Sequence, residues 1–121
     1  MTTATGHTQA IRASRVIGTE VKDTSGNSIG KIEDVVLDKT DNSIMFAVVG
    51  FGGFLGIGEK FHPLPWSVLD FDPEHQAYVV PYTKEQLKAA PSDTITELTR
   101  EDGYAQRDRA YDYYQVPKYW N

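Results

Sequence analysis

The eight residues from Ile44 to Phe51 read Ile-Met-Phe-Ala-Val-Val-Gly-Phe, without one polar side chain. Turn-forming residues bound the run, with Lys39-Thr40-Asp41-Asn42-Ser43 before it and a glycine-rich stretch after it. A run this short and β-branched, between such signals, reads as a strand. A strand with one wet face would alternate apolar with polar residues. Here Ile44, Phe46 and Val48 on one face, and Met45, Ala47, Val49 and Phe51 on the other, are all apolar. One set can line the interior of a small barrel. The other needs a cover, either the C-terminal segment or another chain.

The neighbouring sequence repeats the strand–turn rhythm. A first strand is expected over about Gly18 to Lys22, followed by the turn Asp23-Thr24-Ser25-Gly26-Asn27, where Gly and Asn tolerate positive φ. A second strand runs from Ser28 to Asp38. Its alternation slips near Glu33-Asp34, which predicts a bulge of the kind small barrels use to bend. A fourth strand around Lys60 to Leu64 contains Pro63 and is followed by Pro65, which confines it to an edge. Asp70 to Glu74 reads as a turn into a fifth strand, Gln76 to Tyr82. Thr83 with Gln86 forms a capping box that opens a short helix ending at Pro91. The expected fold is all-β: a small barrel of about five to six short antiparallel strands, a short helix after the last strand, and a helical or irregular C-terminal extension.

The expected organisation is a disordered tail over residues 1–13, a barrel domain over residues 14–91 and a Tyr-rich extension over residues 92–121. Met1 to Ala13 has neither the basic start nor the continuous apolar stretch of a secretory signal, so a cytoplasmic protein is expected. The extension holds Tyr104, Tyr111, Tyr113, Tyr114, Tyr119 and Trp120 among balanced charges. Thr99 and Asp102 make an imperfect capping box, predicting a helix from about Arg100 to Tyr114 with Tyr104, Tyr111 and Tyr114 on one face. Those rings pack either on the chain's own core or on a second subunit.

Charge and composition exclude several function classes. The net charge is −5, from 12 Lys and Arg against 17 Asp and Glu, the wrong sign for a protein that grips phosphates. There is no cysteine, which removes disulfides, thiolate metal sites and thiol nucleophiles. No apolar run approaches the roughly 20 residues of a membrane span.

The sequence shows no catalytic, cofactor or metal constellation. The glycines from Gly50 to Gly58 break the dinucleotide pattern at Leu55, and no Gly-Lys-Ser/Thr occurs for a phosphate loop. Asp72, Glu74 and His75 adjoin across a Pro turn, but neighbours in an extended turn are expected to point apart. His62 and the acidic residues Glu33, Asp34, Asp38 and Asp41 read as solvated surface groups. The serines lack a nucleophile elbow or a partnered His. What stands out is that the glycine loop carries only apolar larger side chains before Glu59: Phe54, Leu55 and Ile57, next to Phe51. A plain linker would be polar. Phe51, Phe54, Leu55, Ile57, Tyr104, Tyr111 and Tyr114 are therefore the candidate partner-binding residues.

Taken together, three segments resemble a known family. They are Ser14-Arg15-Val16-Ile17-Gly18 with Val21 and Gly26 to Asp38, then Val48 to Lys60 with Pro65, then Glu85 to Pro91. In this order and spacing they resemble the PRC-barrel family. The resemblance implies a small β-barrel of the type found in the cytoplasmic part of the photosynthetic reaction-centre H subunit. The same barrel type occurs in the ribosome-maturation factor that binds a small-subunit protein, and in stand-alone bacterial and archaeal proteins. It implies contacts with other proteins and no catalytic residue to carry over. The sequence lacks the H subunit's membrane helix and the maturation factor's separate N-terminal barrel, so neither role transfers by analogy. The expected function is a non-enzymatic protein-interaction module, self-associating as a dimer, without cofactor, nucleic acid or membrane span. The alternatives are a ribosome- or RNA-associated factor and a membrane-peripheral electron-transfer accessory protein.

Overall fold

The structure is a computed structural model and describes residues 10–51 and 60–120. After a single helical turn, α1 (Ala13–Val16), come β1 (Glu20–Lys22), β2 (Ser28–Asp38), β3 (Ser43–Phe51) and β4 (His62–Leu64). A 3₁₀ turn at Trp66–Val68 leads to β5 (Asp70–Asp72) and β6 (Ala77–Val79). Helices α2 (Lys84–Lys88), α3 (Ile95–Leu98) and α4 (Tyr104–Tyr114) complete the chain.

The strands form one six-stranded sheet in the order β4-β3-β2-β1-β6-β5. The expectation of a purely antiparallel barrel needs correction. β1 and β6 run parallel, with Val21 opposite Tyr78 and Lys22 opposite Val79, so the sheet is mixed. Parallel neighbours need a long crossover. Here the crossover is the whole excursion through β2 to β5, which brings the chain back beside β1. Among the described residues no ladder joins the edge strands β4 and β5.

Local chemistry explains most boundaries. Asp23 Oδ1 accepts from the N–H groups of Ser25 and Asn27, both at 2.9 Å, which closes the first turn. The Thr83–Gln86 capping box is present in both directions, at 3.1 and 2.8 Å. The β2–β3 ladder skips Glu33, the bulge expected there, and a second bulge skips Met45 on β3. At Gly30, a Cβ would lie 2.0 Å from the Gly50 carbonyl oxygen, so only glycine lets β2 and β3 approach this closely.

Asp70–Asp72 is a strand rather than a turn. Pairing with β6 at the sheet edge lets Asp70 stay exposed, so its charge costs the strand little. The expected helix over Arg100 to Tyr114 is also shorter than predicted. Thr99 does not cap it; its hydroxyl donates back to the Ile95 carbonyl at 3.0 Å and ends α3.

Both faces of β3 are covered, as its sequence requires. Ala47 and Val49 join the main core with Val21, Ile32, Leu64, Val80, Leu87 and Tyr114. Phe46 and Val48 lie on a second cluster closed by Leu98 of α3, with Phe61 and Val36 against it. Burial of one such side chain is worth about 1.5–3 kcal/mol. The cover thus comes from the chain's own C-terminal segment.

Candidate functional site

The C-terminal segment is held by polar contacts as well as apolar ones. The second bulge leaves the Met45 carbonyl outside the ladder, and the buried Tyr111 hydroxyl donates to it at 3.0 Å. Tyr113 donates to the Gln86 carbonyl, tying α4 to α2. Tyr114 packs against Tyr82 with ring centroids 4.8 Å apart.

Beyond α4, Gln115 adopts a left-handed conformation and turns the chain back over the helix. Tyr119 then donates to Asp38 Oδ2 at 2.6 Å. Arg107 stacks on the Trp120 ring at 3.6 Å and the Tyr104 ring at 4.5 Å, with its Nη1 3.7 Å from Asp38 Oδ2. Its Nε donates to Asp108 Oδ1 at 3.1 Å, so cation–π stacking and two carboxylates together satisfy a nearly buried guanidinium.

Asp38 is therefore not the solvated residue its sequence context suggests; it is 2% exposed. The Tyr119 hydroxyl, followed by the N–H groups of Thr40 and Asp41 and by the Arg107 charge, holds its carboxyl below the ordinary value against the opposing effect of burial. Burial pushes the Tyr111 hydroxyl up to about 12.

His62 also departs from expectation. It is 8% exposed and stacks on Phe51 at 4.6 Å. Among the described residues its Nδ1 has no hydrogen-bond partner, and neither does the Tyr114 hydroxyl. Burial lowers the His62 pKa, and a hydrogen bond with the Pro91 backbone partly opposes that.

The candidate partner-binding residues are dispersed. Phe51 is half-buried at the end of β3, beside His62. Phe54, Leu55 and Ile57 lie outside the described residues. Tyr111 and Tyr114 pack on the chain's own core at 4% and 6% exposure, whereas Tyr104 is 36% exposed at the rim. The expected single face of three rings is thus divided between core and surface. The sequence reading missed Asp38 and Arg107; an Arg set among aromatic residues was the available signal.

Three further features complete the surface. Asp72, Glu74 and His75 do not point apart: their ligating atoms lie within 4.8 Å of one another. The tight turn, with Gln76 left-handed, brings His75 Nδ1 2.7 Å from Asp72 Oδ2. An open groove of about 460 Å³ runs between the Asp23–Asn27 turn and the start of α2, lined in part by Ile29, Tyr82 and Lys84. Leu37 is the most exposed large apolar side chain in the described sheet, and it pairs with half-buried Ile44.

The family model of the PRC-barrel domain matches residues 9–87. The chain belongs to the PRC-barrel family. The match ends within α2, so α3, α4 and the aromatic end of the chain lie beyond the matched PRC-barrel residues. The part that covers β3 from outside is thus an addition to the matched region. No curated protein matches the chain. Among the described residues no helix is long and apolar enough to cross a membrane.

Proposed function

We propose that this PRC-barrel protein is a non-enzymatic protein-interaction module that associates with itself and presents the loop after β3 to protein partners. The observation that carries this reading is the composition of that loop. Between Gly52 and Gly58 every larger side chain is apolar, and Phe51 adjoins it at the end of β3. Phe54, Leu55 and Ile57 would each contribute about 1.5–3 kcal/mol when buried on a partner. Their sum is comparable to the 4–15 kcal/mol of rigid-body freedom that association costs, so the loop can decide a marginal contact without holding a complex alone.

The test is the triple variant Phe54→Ser, Leu55→Ser, Ile57→Ser. Its melting temperature should stay near that of the parent, while self-association or partner capture weakens at least tenfold, which needs only about 1.4 kcal/mol. A large fall in melting temperature with association intact would instead assign the loop to the chain's own core.

A further inference from the structure

The junction between α3 and α4 is unlike any other turn among the described residues. Glu101 (φ 50°, ψ 53°), Asp102 (φ 67°, ψ 3°) and Gly103 (φ 73°, ψ 6°) are left-handed in succession, and only the last is a glycine. Left-handed backbone is unfavourable for a residue with a Cβ, and for two in a row the penalty repeats.

The chain before this junction is fixed to its own sheet. Leu98 closes the cluster over Phe46 and Val48, and Asp93 exchanges two backbone hydrogen bonds with Phe61, at 2.8 and 3.0 Å. Arg100 donates twice to the Glu97 carboxylate, so it belongs to the α3 side. Beyond the junction, α4 and the aromatic end form one unit, held by Tyr111 to the Met45 carbonyl, by Tyr113 to the Gln86 carbonyl, and by Arg107 and Tyr119 to Asp38. The bend that joins the two parts is the strained element.

We propose that α4 and the residues after it exchange between two copies of this chain. The left-handed bend at Glu101–Gly103 opens, and α4 and the aromatic end of each copy seat on Asp38, the Met45 carbonyl and the Gln86 carbonyl of the other. This rests on the self-association proposed above and gives it a route. Every contact broken on opening is remade with the second copy, because the segment and its site are identical. The balance is then set by relief of the bend against the concentration-dependent cost of pairing. Each non-glycine left-handed residue that relaxes favours the open form roughly tenfold.

A second copy is the occupant because the vacated site is specific. Asp38 is almost wholly buried and would be left with neither Arg107 nor Tyr119. An incoming helix must place a cation and a hydroxyl on that carboxylate and a further hydroxyl on the Met45 carbonyl. This chain's own segment carries all three groups.

The experiment exploits the absence of cysteine. Thr40 and Tyr104 are both exposed and their hydroxyls lie 3.5 Å apart across the interface. Full-length Thr40→Cys and Tyr104→Cys chains are mixed, unfolded and refolded together at high protein concentration, then treated with a short bis-maleimide. Exchange predicts a covalent dimer of one chain of each kind. Adding Glu101→Gly and Asp102→Gly to both chains, which relieves the bend without opening it, should lower its yield at least tenfold. Dimers by light scattering that give no Thr40→Cys/Tyr104→Cys product would overturn the exchange while leaving self-association in place. Monomers throughout, with linking only inside a doubly substituted chain, would overturn both.

Discussion

His62 shows how one side chain acquires a property its neighbours in sequence do not announce. It sits on an edge strand whose face is closed by Phe51, and burial disfavours its charged form. Its folded pKa lies below the unfolded value of about 6.5, so its contribution to stability is fully present above that pH. As pH falls through about 6.5 towards the folded pKa, the unfolded chain binds the proton first and stability is lost. The parent melting temperature should therefore fall between pH 7 and pH 5. His62→Gln, which keeps a donor for the Pro91 backbone without a titrating ring, should show a shallower fall. Identical slopes in scanning calorimetry would remove His62 from the acid response.

At the scale of elements, β3 governs the molecule because both of its faces must be covered, and α3 is a single helical turn whose main task is to supply Leu98. Isolated turns of this length are not stable in water. Its Thr94 cap, accepting from Glu97 N–H at 3.2 Å, and the burial of Leu98 hold it in place. Leu98→Ala should cost about 2–5 kcal/mol in denaturant unfolding, because it would leave a cavity in the cluster that Leu98 forms with Met45, Phe46 and Val48. A loss below about 1 kcal/mol would show that α4 or solvent fills the site.

What was legible in the sequence follows the range of the interactions. The β2 bulge at Glu33 and the Thr83 capping box depend on residues a few positions apart, and both were readable. The need to cover β3 was readable too, since it is a property of that strand alone. Asp70 to Glu74 reads as a turn because the stability of the strand Asp70–Asp72 comes from pairing with β6. Asp38 reads as solvated because its partner Tyr119 lies 81 residues away. The bend at Glu101 and Asp102 has no local signal either; Gly103 is the single clue, and its neighbours are held left-handed by packing on both sides of the junction.

For the whole molecule, the matched PRC-barrel residues and the C-terminal segment pack in the same two apolar clusters. Residues 92–121 supply Leu98, Tyr111 and Tyr114, all buried on the sheet or its flanks. A chain ending at Pro91 should therefore expose Phe46 and Val48 and either aggregate or lose its cooperative melt, as light scattering and circular dichroism would report. A soluble truncated chain with an unchanged melt would show that the sheet stands alone.

The parallel pairing of β1 with β6 also sets an order of events during synthesis. β1 can zip onto β2 as soon as both have emerged, because one tight turn joins them. Its other edge has no partner until Ala77–Val79 has emerged behind β2 to β5. Loop closure of that span is paid late and rewards only two paired positions, Val21 with Tyr78 and Lys22 with Val79. β1 is thus sealed on both sides later than β2 or β3, and its open edge is exposed to mispairing until β6 emerges.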